Sequence, residues 1–377
     1  MKKFALVFIL ILVAGGTLEV HAQRSLKELR AKLAEPFDTT RDASYWKRAL
    51  LHGKLDIQDS SVTYPKTLQF VLDVYKWGDY AFNHYDSTYV VGTGKKWKLM
   101  VNNNNFMDTY VGHLTSQEIL LHLNSNIFST FGFQLSFMAL SAGYTFNVSN
   151  LITGNRVKNK KWDFSFTCSR IAVDAYYYND ESEVNLLRLG SYKSGPLNTY
   201  KFDGLKRYVY GLHGYYFFNH LRYAQAAAYS FSKIQKRSAG SIIAGVHASH
   251  QNIDMNFYKL NDFLQQNLPE GQLDFRFRYN DFSALFGYGY NWVFHRNWLY
   301  NVTFTSGVGY RHILPNSIDE EKNMMAFNYR LKMAFVLNRG NFFYGAHFMS
   351  DSRWYHSPQC FFFNTAHNLN FTAGFRF

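Results

Sequence analysis

The chain has 377 residues, with 40 Lys and Arg against 27 Asp and Glu and a net charge of +13. Aromatic residues make up 19%, and there are only 6 Pro and 2 Cys. This aromatic surplus suits a lipid-facing surface with aromatic girdles. The scarcity of Pro permits long strands, and two Cys exclude a disulfide framework.

Met1-Lys2-Lys3 is a short basic start, residues 4–13 are apolar, and Val20-His21-Ala22 is a small-residue cleavage site before Gln23. Residues 1–22 therefore read as a secretory signal peptide. No Cys follows the cleavage site, which argues against a lipoprotein. No other stretch approaches the ~20 apolar residues of a spanning helix. An exported chain with no basic helix or finger motif is not expected to meet nucleic acid. Its surplus bases either face anionic lipid headgroups or line an anion-attracting interior.

Residues 23–95 read as a periplasmic helical lead-in. Leu26, Leu29 and Leu33 share one helical face that stops at Pro36. A second helix is predicted over 43–52, capped by Asp42, with Trp46, Leu50 and Leu51 inward. A third starts at Pro65, carries Leu68, Val71, Leu72 and Tyr75 on one face, and ends at Trp77-Gly78-Asp79.

From Lys96 the period changes from 3.6 to 2. Residues 119–137 place Ile119, Leu121, Leu123, Ile127, Phe131, Phe133, Leu135 and Phe137 on one face. The phase flips at Met138-Ala139 and again at Ser169-Arg170, as two-residue hairpins require, with a bulge as the alternative. Alternating strands follow to the end. Among them, Phe282 to Phe294 alternate with Ser283, Gly287, Gly289 and Asn291. The count is about twelve strands of ~9–11 residues each. The fold class is all-β, a transmembrane antiparallel β-barrel over residues 96–377 with a short N-terminal helical segment. A soluble sandwich would use shorter strands, richer in Val and Ile.

The chain ends on Phe375-Arg376-Phe377. This resembles the terminal aromatic signal that the barrel-assembly machinery reads, with Phe375 and Phe377 as its residues. It departs from the usual pattern by carrying Thr372 where a glycine is common. With the C terminus on the periplasmic side, tight turns fall at 295–297 and 338–340. Loops at 149–160, 179–204, 254–280, 312–324 and 350–360 then face outward, provided that residues 218–240 are a periplasmic or lumenal connection.

Arg311, Arg330, Lys332, His347 and Arg376 are predicted on the lumenal face of the last strands, with no acid sharing those faces. Asp163 and Asp174 point inward from the other half. These groups either neutralise one another across a closed lumen or line an anion-selective pore. His247 and Ser249 lie two apart on one strand. Their spacing resembles the His-x-Ser of outer-membrane phospholipase A, where His acts as base toward Ser. The Asn-Gly that follows the Ser in that family is His250-Gln251 here, and the pair is phased toward the lumen. No metal-ligand spacing stands out, and no cofactor is expected. Cys168 and Cys360 are expected to be unbonded, since they fall at opposite ends of their strands.

Two stretches resemble the Bacteroidetes outer-membrane barrel family known as domain of unknown function 4421. One is Trp77-Gly78-Asp79, Phe82-Asn83, Tyr85-Asp86 and Thr93-Gly94. The other is Gln235-Lys236-Arg237-Ser238-Ala239-Gly240-Ser241. The resemblance implies a cell-envelope barrel and no assigned activity. The expected role is thus a non-enzymatic narrow pore, or a structural or binding component, in the Gram-negative outer membrane. Its partners would be outer-membrane lipids, the assembly machinery and small anionic solutes. The alternative is a lipid-modifying enzyme using His247 and Ser249.

Overall fold

The computed structural model describes residues 38–377 except 43, 52–61, 115–118, 150–158, 269–272 and shorter stretches of one to three residues. The predicted signal peptide and the first predicted helix lie outside the described residues. The chain divides into two compact units, Met1–Tyr80 and Ala81–Phe377.

In the first unit, helix α1 spans Tyr45–Leu51. Its entrance is fixed by Asp42, whose carboxylate accepts hydrogen bonds from the Ser44 amide at 3.0 Å and from Arg48 at 2.9 Å. Trp46 and Ala49 are buried. Beyond Pro65, Lys66, Gln69, Asp73, Trp77, Gly78 and Tyr80 are helical. Tyr80 is thus still helical beyond the stop expected at Trp77-Gly78-Asp79.

The second unit is built of antiparallel strands: β1 (Val90–Gly92), β2 (Trp97–Leu114), β3 (Ile119–Ser125), β4 (Phe128–Phe137), β5 (Leu140–Asn147), β6 (Asn159–Thr167), β7 (Ile171–Asp180), β8 (Val184–Leu189), β9 (Tyr192–Lys193), β10 (Tyr200–Phe202), β11 (Leu205–Phe217), β12 (Lys233–Gln235), β13 (Ala239–Asn256), β14 (Asp274–His295), β15 (Trp298–Ile313), β16 (Asn323–Arg339), β17 (Phe342–His356) and β18 (Cys360–Arg376). The sheet curls until β2 pairs along its length with β18. Trp97 and Phe377 exchange backbone hydrogen bonds at that seam, at 3.2 and 3.0 Å. Counting β3 and β4 as one bent strand, and setting aside the short β1, β8–β10 and β12, twelve strands make the wall among the described residues. Among the described residues, β5 pairs only with β4 and β6 only with β7.

Both predicted hairpins form. Phe137 lies opposite Leu140, and the Cys168 amide donates to the Ile171 carbonyl at 2.9 Å. The single face read across 119–137 does not hold. Tyr110 is opposite Leu123 but Phe106 is opposite Phe128, so one extra residue sits on the β3–β4 side. That bulge turns Leu121 and Leu123 into the interior while Phe133 and Leu135 face out.

The strands are also longer than expected, β14 reaching 22 residues. On β14 the reason is a reversal of polarity along the strand. On β14, Phe286 faces outward and is 66% exposed, whereas Phe277 faces inward and is 2% exposed. The intervening switch, near Asp281, reads in sequence as a strand end. The loops expected at 254–280, 312–324 and 350–360 accordingly shrink to the residues between Asn256 and Asp274, Ile313 and Asn323, and His356 and Cys360.

Inside the far end, away from the chain terminus, Leu121, Leu186, Phe202, Phe257, Phe277 and Phe362 belong to one apolar core. The middle of the lumen is polar. The terminal end is filled by residues 218–238. Within this plug, the short helix α2 (Gln225–Tyr229) is buried through Ala228. Ala227 and Phe231 pack with Leu299, Val336 and Phe343 of the wall. The plug ends in β12, which pairs with β1 ahead of the barrel.

Candidate functional site in the filled lumen

Alternation along β14–β18 turns one set of side chains inward, and the predicted bases Arg311, Arg330, Lys332, His347 and Arg376 all lie in it. The expectation that no acid shares their faces is wrong. Asp281 lies on β14 and Asp351 on β17, both buried. Asp281 sits beside the polarity switch, where the alternation breaks. Asp351 lies in the part of β17 that extends into the loop expected at 350–360.

Pairing between these groups is extensive. Arg311 Nε and Nη2 reach the two oxygens of Asp281 at 2.5 and 2.7 Å. Arg330 donates to Asp174 Oδ2 at 3.0 Å and to the Tyr215 hydroxyl at 2.9 Å. Lys332 reaches the same Asp174 oxygen at 3.2 Å and lies 4.5 Å from the Tyr229 ring of the plug. Arg353 pairs with Asp351 at 3.3 Å. Arg207 pairs with Asp108 at 2.5 Å, and Lys161 approaches the other Asp108 oxygen at 3.6 Å. Asp163 accepts the Tyr178 hydroxyl at 2.6 Å. Buried charges persist only when compensated in this way.

His347 is sandwiched by plug aromatics, 5.2 Å from Phe231 and 5.4 Å from Tyr229. The plug is bonded polar group by polar group as well. Tyr229 donates to Asn301 at 2.7 Å, and Gln225 accepts the Tyr223 hydroxyl at 2.5 Å. Asn291 donates to the Ala224 carbonyl at 3.0 Å. Two wall glycines receive it. A Cβ on Gly345 would lie 2.5 Å from the Phe231 ring, and one on Gly289 would lie 2.5 Å from the Tyr223 hydroxyl. A cavity of about 10 Å³ between Gln225, Thr303, Thr305, Arg330 and Lys332 is too small for a solute.

His247 and Ser249 are buried on the inward face of β13. The ring nitrogens of His247 meet Tyr176 at 3.2 Å and Asn328 at 3.4 Å, and the ring stacks on His213 at 4.3 Å. Ser249 Oγ has no hydrogen-bond partner. The geometry thus gives Ser249 no base and no access to lipid. No group of three His, Cys, Asp or Glu fit to hold a metal occurs among the described residues. Phe375 packs on Phe342 at 4.9 Å and Phe377 stacks on Trp97 at 6.4 Å, so the terminal aromatics cover the closing seam. Cys168 and Cys360 are both buried, and neither forms a disulfide in the structure.

Residues 84–377 match the family described as domain of unknown function (DUF4421). The chain belongs to this family. No curated protein matches it. Among solved structures, it is similar to the outer membrane protease OmpT from Escherichia coli, at 8% identity over 76% of this chain and 98% of that one, with a TM-score of 0.35. It is similar to the translocator domain of the autotransporter NalP from Neisseria meningitidis, at 9% identity over 89% and 99% and a TM-score of 0.29. It is also similar to the P. putida toluene transporter TodX, at 6% identity over 75% and 90% and a TM-score of 0.26. These likenesses are too remote to bear on the activity of this DUF4421 chain.

Proposed function

We propose that this DUF4421 protein is an outer-membrane barrel that is closed at rest and serves as a non-enzymatic structural or binding component of the envelope. Its terminal end and N-terminal segment face the periplasm. The outward apolar residues of β14 run from Phe282 to Phe294. That is roughly 40 Å along the strand, or roughly 30 Å of height at a tilt of ~40°, close to the apolar band of such barrels. The observation that carries the closed reading is the shared Asp174, which ion-pairs with both Arg330 and Lys332 directly beneath the plug. A pore needs those bases facing water, whereas here they face a carboxylate and plug side chains.

Planar bilayers test this reading. The purified full chain should insert and pass no steady current under a salt gradient. Steady anion-selective conductance of the unmodified protein would overturn it.

A further inference from the structure

We propose that Lys98 and Arg376 form a binding site for an anionic group, a phosphate or a carboxylate, which the tip of the plug occupies in the closed state. The inference rests on the closed reading above. Lys98 on β2 and Arg376 on β18 are register partners across the closing seam. They are 6% and 1% exposed. Like charges placed directly opposite repel, and burial raises the cost. The other inward wall cations described above each have a carboxylate. Among the described residues, these two have none within ion-pair distance.

The plug supplies a partial substitute. Lys98 Nζ donates to the Ser230 carbonyl at 2.6 Å, and Arg376 Nε donates to the Phe231 carbonyl at 3.1 Å. Arg376 Nη2 reaches Asn338 at 2.7 Å, while its Nη1 is buried with no hydrogen-bond partner. Two carbonyl dipoles offset less than two full charges. A planar carboxylate or a phosphate oxygen pair would match the guanidinium fork, engage Nη1 and neutralise the ammonium together.

The closed tip also carries strain that release would remove. Phe231 has φ of 53°, a left-handed conformation unusual for a bulky side chain. It is held there by stacking on Phe343 at 4.7 Å and on His347 at 5.2 Å. Such strain persists only where the surroundings over-determine it. An anion entering at the seam therefore competes with carbonyls 230 and 231, and the tip leaves as the anion binds.

The experiment is amide hydrogen exchange on the full chain in detergent, read over peptides covering residues 224–235. Inorganic phosphate should raise exchange there about tenfold over sodium chloride of equal ionic strength, with the barrel strands unchanged. Acetate in a parallel titration separates carboxylate from phosphate. Nanodiscs of phosphatidylglycerol against phosphatidylcholine separate a lipid headgroup from a free anion. Lys98→Gln and Arg376→Gln should each abolish the response. Gly345→Ala, which pushes the tip without touching either cation, should raise exchange before any anion is added and tighten phosphate binding. An equal response to chloride, or none to phosphate, acetate or anionic lipid, would overturn the proposal. So would a response that survives both substitutions. Conductance at rest would sink the closed reading and this inference with it; a silent exchange titration in a non-conducting protein would sink only this one.

Discussion

Asp281 and Arg311 are register partners on β14 and β15, both fully buried, with two guanidinium nitrogens on two carboxylate oxygens. The Arg311 guanidinium also lies 4.1 Å from the Tyr279 ring. This pair sits where the strand changes from an apolar outside to an apolar inside.

Removing one partner leaves the other charged and buried. Asp281→Asn or Arg311→Gln should each destabilise the barrel by about 3–5 kcal/mol. Replacing both with apolar residues of similar volume should recover most of that loss. Urea unfolding in detergent, followed by tryptophan fluorescence, measures all three.

Asp174 serves two cations at once, so its loss should cost more than the loss of either partner. Asp174→Asn strands Arg330 and Lys332 together, whereas Lys332→Gln leaves Arg330 paired. The expected order of unfolding midpoints is wild type, then Lys332→Gln, then Asp174→Asn. An inverted order would contradict the shared-carboxylate arrangement.

Much of this was legible from the chain alone. The twelve strands, the hairpins at 137–140 and 168–171 and the inward phase of Arg311 to Arg376 all follow from a period of two. Asp281 and Asp351 were not, because the polarity reversal near them mimics a strand end. The bulge between Leu123 and Phe128 was also hidden, since apolar residues occupy odd positions on both sides of it while the faces exchange. The plug is legible only as a periplasmic or lumenal connection over residues 218–240. Its contacts with Asn301, Gly289 and Gly345 join residues far apart in the chain, which no local pattern encodes.

Cys168 and Cys360 should both remain reduced in the native protein. Each is buried, so a maleimide reagent should label neither before unfolding and both after it. A disulfide recovered from native protein would contradict the topology.

The turn ahead of β1 carries a pH dependence. Hydrogen bonds from the Thr88 hydroxyl and amide hold the Asp86 carboxyl below its ordinary value of 3.8. A carboxyl lowered by folding stabilises the turn fully above its unfolded value and loses that effect as pH falls through its folded value. Amide exchange at Thr88 to Val90, corrected for intrinsic rates, should therefore rise on acidification below about pH 3.8. Asp86→Asn should show the raised exchange at neutral pH.

The reversal of polarity along β14 bears on how faithfully the barrel can be put together. A shift of one residue would bring Phe282 and Phe286 inside and turn Phe275 and Phe277 out into water. In an ordinary barrel only the lipid half of a strand objects to such an error, and the rim tolerates it. Here the two halves object independently, one through its outward apolar face and one through its inward one, and no offset by a single position satisfies either. β14 thus carries its own check on register at both ends, independent of any contact with the plug.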